Sequence, residues 1–447
     1  RSLAGDDFLV AIDQEGGGVL RLLDVPYPPP AMALGAADDT GLTRSVAAAA
    51  ARGLRSTGVN IDFAPVADVN VNPLNPVIAD RSFGADPELV ARHVSAFIEG
   101  LQSEGVAASA KHFPGHGDVA VDSHLALPRL DRSAAELSRL ELLPFRAAVQ
   151  AGVASFMTAH IVFPQLDPDL PATLSPVVIR TLLREGLGFD GVVFSDAMDM
   201  KAIADNFDPV EANVLAMSAG VDAPLNIGPV RHHLAIADGV ERALAEGRLD
   251  PAAAARSRER LATLTAAFPP VAGQPEAAWS EGDAELLDGA ALRGLVALGE
   301  LPVIRGSLTV VTPAAVWRSA ASQEQVGPGV DLIAELKREG FRVEEIVFDP
   351  ERLTETAYAA SLLAQVQPGP VVYASARRTP LSEAEVSFVH EVAGLAGDDF
   401  LHVALWNPYH AHELPGPALL AFGYRPASLR AVVTALRGAP VTGVLPF

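Results

Sequence analysis

The sequence predicts an α/β protein built on a parallel sheet, and three observations carry that prediction. Short apolar runs alternate with longer Ala/Leu/Arg/Glu-rich segments of helical periodicity. A polar or charged residue closes nearly every run in the first half of the chain: Asp13, Asp62 and Asp68, Lys111 with His112, His160, Asp196, Asn226. A proline-rich stretch, 268–282, interrupts the alternation, which then resumes.

Taken in order, the runs are "FLVAID" (8–13), "VNIDFAPVADV" (59–69), "VAASAKHF" (106–113), "VASFMTAHI" (153–161), "GVVFSD" (191–196) and "VDAPLNI" (221–227). Helical patterns such as "TRSVAAAAARGLRSTG", "PELVARHVSAFIEGLQSEG", "SAAELSRLELLPFRAAVQAG", "SPVVIRTLLREGLG" and "DPVEANVLAMSAG" separate them. Such units read as βα repeats with a parallel sheet. In a barrel the βα loops converge at the carboxyl ends of the strands, so polar residues there are placed for chemistry. Polar residues that merely stop strands are the plainer reading; repetition over six units favours convergence. A helix over about 249–266 leads into the 268–282 linker. Beyond it, "LVALG", "SLTVVTP" (307–313), "FRVEEIVF" (341–348), "PVVYASA" (370–376), "FLHVALWNP" (400–408) and "ALLAFGY" (418–424) predict a second, open and mostly parallel α/β unit over 283–447.

At 447 residues, 49% apolar with 18 Phe, the chain can fill a large core. A net charge of −22 argues against reading a nucleic-acid backbone, which needs a basic face. The chain has no cysteine, which excludes disulfides, thiolate metal sites and a cysteine nucleophile. No apolar run reaches 18 residues, so no membrane-spanning helix is expected. No nucleotide-binding glycine motif accompanies the strands, so no cofactor is expected. The chain begins at Arg1 without a signal peptide. A cytoplasmic location is the expectation, with secretion or the cell envelope as alternatives should the natural N-terminus lie upstream. Oligomeric state is left open.

"AKHFPGHGDVAVDSH" (110–124) gathers three of the eleven histidines with Lys111, Asp118 and Asp122 on a loop broken by Pro114, Gly115 and Gly117. In "DSH", Asp122 can hold one nitrogen of the His124 imidazole and leave the other for proton transfer. Asp196 ends an apolar run, where a carboxylate is costly without partners or a task. It is either a helix cap, a role Asp199 could also fill, or the nucleophile of a retaining glycosidase. Lys111 is one of only three lysines, so it is not generic solubilisation, and with His112 it could bond substrate hydroxyls. Asp13, Arg21 and Arg81 could do the same, or could form structural pairs, for instance an arginine with Asp80. His112, His116, Asp118, His124 and His160 could in principle surround zinc, but no H-E-x-x-H or comparable spacing is present, and no metal is expected.

Together "AIDQEGG", "NIDFAPVADV", "RSFGADP", "KHFPGHGDVAVDSH" and "FSDAMDM" resemble glycoside hydrolase family 3, in particular its β-N-acetylglucosaminidase (β-N-acetylhexosaminidase) branch, the NagZ-type enzymes in their two-domain form. The resemblance covers about residues 8–228, and more loosely "WNPYH" and "GAPVTGVLPF". It implies a TIM (β/α)8-type barrel over 1–267, with the segment for the usual first strand absent from this sequence. After the 268–282 linker it implies a smaller three-layer αβα domain over 283–447. It implies Asp196 as nucleophile, His124 with Asp122 as the acid/base dyad, and Asp13, Arg21, Arg81, Lys111 and His112 as residues holding the sugar. The activity implied is retaining exo-hydrolysis of terminal β-linked N-acetylglucosamine, a small saccharide partner from peptidoglycan or chitin fragments. A β-glucosidase, or a glycan-binding protein without turnover, is the alternative. The sequence departs from the family's Glu-Gly-Gly-Arg-Val at Gly18, which stands where that pattern has arginine.

Overall fold

The computed structural model describes residues 8–270, 279–314, 317–318 and 325–447. The first six strands are β1 (Ala11–Ile12), β2 (Ile61–Asp62), β3 (Ala107–Phe113), β4 (Ser155–Thr158), β5 (Val192–Ala197) and β6 (Ala223–Leu225). They lie in sequence order, each parallel to the next. Most are shorter than the apolar runs that announce them. In the 59–69 run the reason is Pro65: it has no N–H for the ladder, and pairing resumes only as the bridge Val66–Lys111.

Around this sheet run α1 (Ala31–Ala37), α2 (Thr40–Thr57), α3 (Pro87–Ser103), α4 (Ala134–Arg139), α5 (Leu142–Gln150), α6 (Lys201–Ala204), α7 (Pro209–Ala219), α8 (Val230–Ala245) and α9 (Pro251–Ala267), with a π-helical segment at 177–186. Three helices begin at Asp-Pro. Asp86, Asp208 and Asp250 each accept backbone N–H bonds, and the proline supplies a first-turn residue that needs no donor. The single helix expected over 133–152 is instead α4 and α5. Pro144 cannot sit mid-helix, and the break at 140–141 puts it in the first turn of α5.

Inside the curl, Ile61, Phe63, Ala107, Met157, Val192 and Phe194 form an apolar plug, with the Phe63 and Phe194 rings edge-on at 5.4 Å. Each of the larger side chains among them contributes about 1.5–3 kcal/mol by leaving water. The (β/α)8-type barrel without its first strand, implied above, is met only in part by the described residues. Their six strands make a half-barrel, and no strand follows β6 before α9. The sequence gives the reason: after Leu225 come helix starts at Pro229 and Asp250-Pro251 rather than another apolar run. Leu261 and Leu264 of α9 pack against the plug.

The second half adds α10 (Glu281–Arg293), β7 (Val296–Leu298), β8 (Ser307–Pro313), the antiparallel pair β9 (Trp317–Arg318) and β10 (Gln325–Val326), α11 (Pro328–Arg338), β11 (Arg342–Phe348), α12 (Thr356–Leu363), β12 (Val371–Ser375), α13 (Glu383–Ala396), β13 (Phe400–Ala404), β14 (Ala418–Leu420) and α14 (Pro426–Leu436). A second six-stranded sheet runs β11-β8-β12-β13-β14-β7, parallel except for β7. Successive residues point to opposite faces. Val310 and Val372 meet Leu332, Leu336 and Val432 on one side, while Val311 and Tyr373 meet Phe388, Val389 and Val392 on the other. Most of the expected 268–282 linker, residues 271–278, lies outside the described residues. The two sheets are joined elsewhere as well. Met32, Ala33 and Ala36 of α1 pack on Val296, Leu420 and Phe422, and Val444 N–H bonds the Ala36 carbonyl at 2.8 Å.

Candidate active site

Asp13 follows β1, and Glu15, two residues on, is drawn into the same buried cluster. Between and after them the chain must turn tightly. Gln14 closes the turn, its Oε1 accepting the Arg21 and Leu22 N–H groups at 2.9 and 3.1 Å. Gly16, at φ +106°, lies against the Pro28 and Pro29 carbonyls; a Cβ there would come within 2.7 Å of both.

The cluster is a chain of alternating charge. Glu15 takes Arg81 Nε and Nη2 at 2.8 Å each and Lys111 Nζ at 2.5 Å. Lys111 also bonds Asp13 at 2.8 Å, and Arg21, on the exposed rim, reaches Asp13 at 3.3 Å. Burial alone would raise the Glu15 carboxyl, but the charges of Arg81 and Lys111 overcome it and hold it well below the carboxylate range. Burial likewise lowers Lys111, and Asp13 with Glu15 more than restore it. Beneath them Asp62 is fully buried and pushed up to about 7 by that burial, against the Gln14 N–H and Lys111.

Asp68 organises the next layer. Its Oδ2 meets His112 Nδ1 at 2.7 Å, and its Oδ1 accepts the backbone N–H groups of His112 and His116 at 3.1 and 2.7 Å. His112 is thereby held with Nε2 turned to Arg81, 3.4 Å away. Asp196, near the end of β5, accepts the Ala197 N–H at 2.7 Å. Burial raises its carboxyl, but the charges of His112, His160 and His124 outweigh that and leave it lowered. His160 donates from Nε2 to the Ala197 carbonyl at 3.0 Å, since a carbonyl only accepts, and its other nitrogen meets Thr173 at 2.8 Å.

Asp122 accepts both the His124 N–H and its ring Nδ1–H, each at 2.8 Å. Burial raises Asp122, but the His124 hydrogen bonds prevail and lower it, so the ionised form orients the ring and leaves Nε2 open. The loop that carries this pair is tied down at Ser123, whose Oγ lies 3.0 Å from His116 Nε2 and whose carbonyl accepts the Ala202 N–H. Arg132 pairs with Asp118 near the loop's base.

All eight residues singled out in the sequence therefore fall at one end of the first sheet. Four contributors received no role in holding the sugar or moving a proton there: Glu15 and Ser123, Asp68, named only as the end of an apolar run, and His116, named only as a possible zinc ligand. Glu15 had a legible signal, its i+2 spacing from Asp13. Asp68 had another, a charge at the end of an apolar run. Among the described residues no group of three or more His, Cys, Asp or Glu is arranged to hold a metal ion.

Glu141 sits under this loop with neither oxygen hydrogen-bonded and is pushed by burial to about 7 from an ordinary 4.5. A raised carboxyl favours the protonated fold, so its contribution to stability is present below about 4.5 and is lost as pH rises through about 7. Glu141→Gln should therefore melt progressively higher than wild type as pH rises across that window. A constant Tm difference from pH 4 to 8, in scans at fixed ionic strength, would contradict this.

Carboxylates and imidazoles gathered at the carboxyl ends of a curled parallel βα sheet define the class of TIM-barrel-type enzymes. Residues 2–264 match the glycosyl hydrolase family 3 N terminal domain, and the chain belongs to glycoside hydrolase family 3. It is 39% identical over 264 residues to a beta-hexosaminidase of Thiobacillus denitrificans, covering 58% of this chain and 71% of that protein. It is also 39% identical over 241 residues to beta-hexosaminidase A of Pseudoalteromonas piscicida, spanning 48% of this chain and 39% of that relative's length. In structure it is similar to a family 3 beta-N-acetylglucosaminidase from a Paenibacillus species, with a TM-score of 0.88, 35% identity, and coverage of 98% of this chain and 86% of that one.

Proposed function

We propose that this protein is a retaining exo-β-N-acetylglucosaminidase, acting on terminal β-linked N-acetylglucosamine in peptidoglycan or chitin fragments. The observation that carries the reading is the pair Asp122–His124, closed at 2.8 Å, within electrostatic reach of the buried Asp196 carboxylate, which the His124 charge helps to lower. Asp196 attacks the anomeric carbon while the protonated His124 gives its Nε2 proton to the departing oxygen. A covalent glycosyl–enzyme results. The now neutral His124 then takes a proton from water, which displaces Asp196 and restores both groups. Asp13, Arg21, Arg81, Lys111 and His112 form the polar end that holds the sugar's hydroxyls, and a closed end of this kind favours exo-cleavage. Residues 8–267 form the catalytic half of this reading, a barrel-type domain, and 283–447 a three-layer αβα domain.

The test compares β-N-acetylglucosaminides and matching glucosides carrying aryl or sugar leaving groups. The N-acetylglucosaminides should turn over faster. His124→Ala should cut kcat roughly 10²–10⁴-fold on sugar leaving groups and far less on activated aryl ones, whose departure needs little protonation. Asp122→Ala should follow the same trend less steeply. Faster glucoside cleavage would overturn the substrate assignment, and equal losses for both leaving-group classes would overturn the role of the dyad.

A further inference from the structure

The second sheet reaches the sugar-holding cluster from behind, at two points that share one residue. The first point is Asp80, which is 1% exposed and accepts Arg378 Nη2 at 2.9 Å and Trp406 Nε1 at 3.2 Å. Burial raises the Asp80 carboxyl, and those two donors oppose the rise. Arg378 Nη1 also donates to the Val77 carbonyl at 3.0 Å, the same oxygen that Arg81 Nη1 reaches at 3.1 Å. Between these contacts Ala79 sits at φ +42°, a left-handed conformation that a non-glycine residue holds only when its surroundings impose it.

The second point is the turn after Glu15. Arg425 Nε donates to the Gly17 carbonyl at 3.1 Å. A Cβ on Gly18 would stand 3.3 Å from Tyr424 Oη and 3.8 Å from Trp406 Cζ2, and both aromatic side chains are almost fully buried. Their rings pack with centroids 4.8 Å apart, so a long side chain at 18 directed toward them would have to push the phenol or the indole aside.

We propose that Arg378, Trp406 and Arg425 are positioning residues for the buried ion pair Glu15–Arg81 that underlies the sugar-holding cluster, and that the room Trp406 and Tyr424 occupy is the reason residue 18 is glycine. Trp406 links the two points: its indole N–H fixes the turn that carries Arg81, and its ring edge fills the space beside the turn that follows Glu15. The second sheet thus sets the geometry of this cluster through Asp80 and through the turn that follows Glu15. The proposal rests on the glycosidase reading for its kinetic consequence, but not for its structural one.

Arg378→Met keeps the aliphatic stem and removes the donors, and Trp406→Phe keeps most of the ring. Hydrogen exchange followed by mass spectrometry tests the structural claim without any substrate. Both variants should speed exchange in segments 14–22 and 77–84 while segment 107–113 keeps its protection. Acceleration everywhere, or in neither segment, would overturn the proposal. On an aryl β-N-acetylglucosaminide, Arg378→Met should raise KM roughly tenfold with kcat changed less than about threefold, and Arg378→Lys should recover part of the loss. Gly18→Arg should reproduce the KM defect. An unchanged KM in Arg378→Met or Gly18→Arg, with wild type active, would sink the proposal. A wild-type protein inert toward every glycoside would instead remove the functional reading and leave the exchange result to decide this one.

Discussion

Asp196→Ala is expected to lower kcat by about 10⁴-fold or more on every substrate, the scale seen when a nucleophile acting in concert with its partners is deleted. The loss should not depend on the leaving group, which separates it from His124→Ala, since attack at the anomeric carbon is needed whatever departs. In the alanine variant a small anion such as azide fits the vacated space and should restore turnover of an activated aryl substrate, giving the α-glycosyl azide by a single inversion. Wild type, by two inversions, should release the β-anomer first. NMR of the first-formed products reads both. A variant within tenfold of wild type, or α-anomer from the wild-type enzyme, would exclude Asp196 as the nucleophile.

Lys111→Met should be the most damaging change for the fold as well as for binding. Lys111 is 2% exposed and is the cation shared by Asp13 and Glu15, and removing one partner from a buried ion cluster typically costs about 3–5 kcal/mol. Glu15 retains Arg81, so the site should loosen rather than collapse. The pH dependence has a definite sign. A carboxyl held below its ordinary range stabilises the fold above that range and loses this contribution as pH falls. With Lys111 gone Glu15 is depressed less, so acid unfolding should begin at a higher pH than in wild type. Urea melts at pH 7 and across the acid limb measure both effects. Unchanged stability at pH 7 together with an unchanged acid midpoint would contradict the picture of Lys111 as the hub of this cluster.

The sequence is most legible where the physics is local. Asp-Pro starts, the order of apolar runs and the charges at their ends are read within a few residues, and they place the elements of the first sheet correctly. Strand extents are less legible, because a run such as 59–69 states burial but not which of its residues find a partner's carbonyl. The half-barrel itself belongs to this second kind. Whether six strands close depends on what pairs with the edges of β1 and β6, which no periodicity within a strand encodes.

The same division runs through the site. Asp122 and His124 are two residues apart, so their pairing is available to the chain before it folds, and the sequence by itself determines it. The position of Asp196 near the end of its strand is legible in the same local way, while its choice between cap and nucleophile is not. Glu15 meets Arg81 across 66 residues, Asp68 meets His112 across 44, and Trp406 meets Asp80 across 326. These contacts draw their energy from charges and donors that are desolvated together only once both sheets are in place. The tertiary structure alone therefore decided which carboxylate takes which cation, and it alone sets Tyr424 and Trp406, from the far end of the chain, against the glycine at 18.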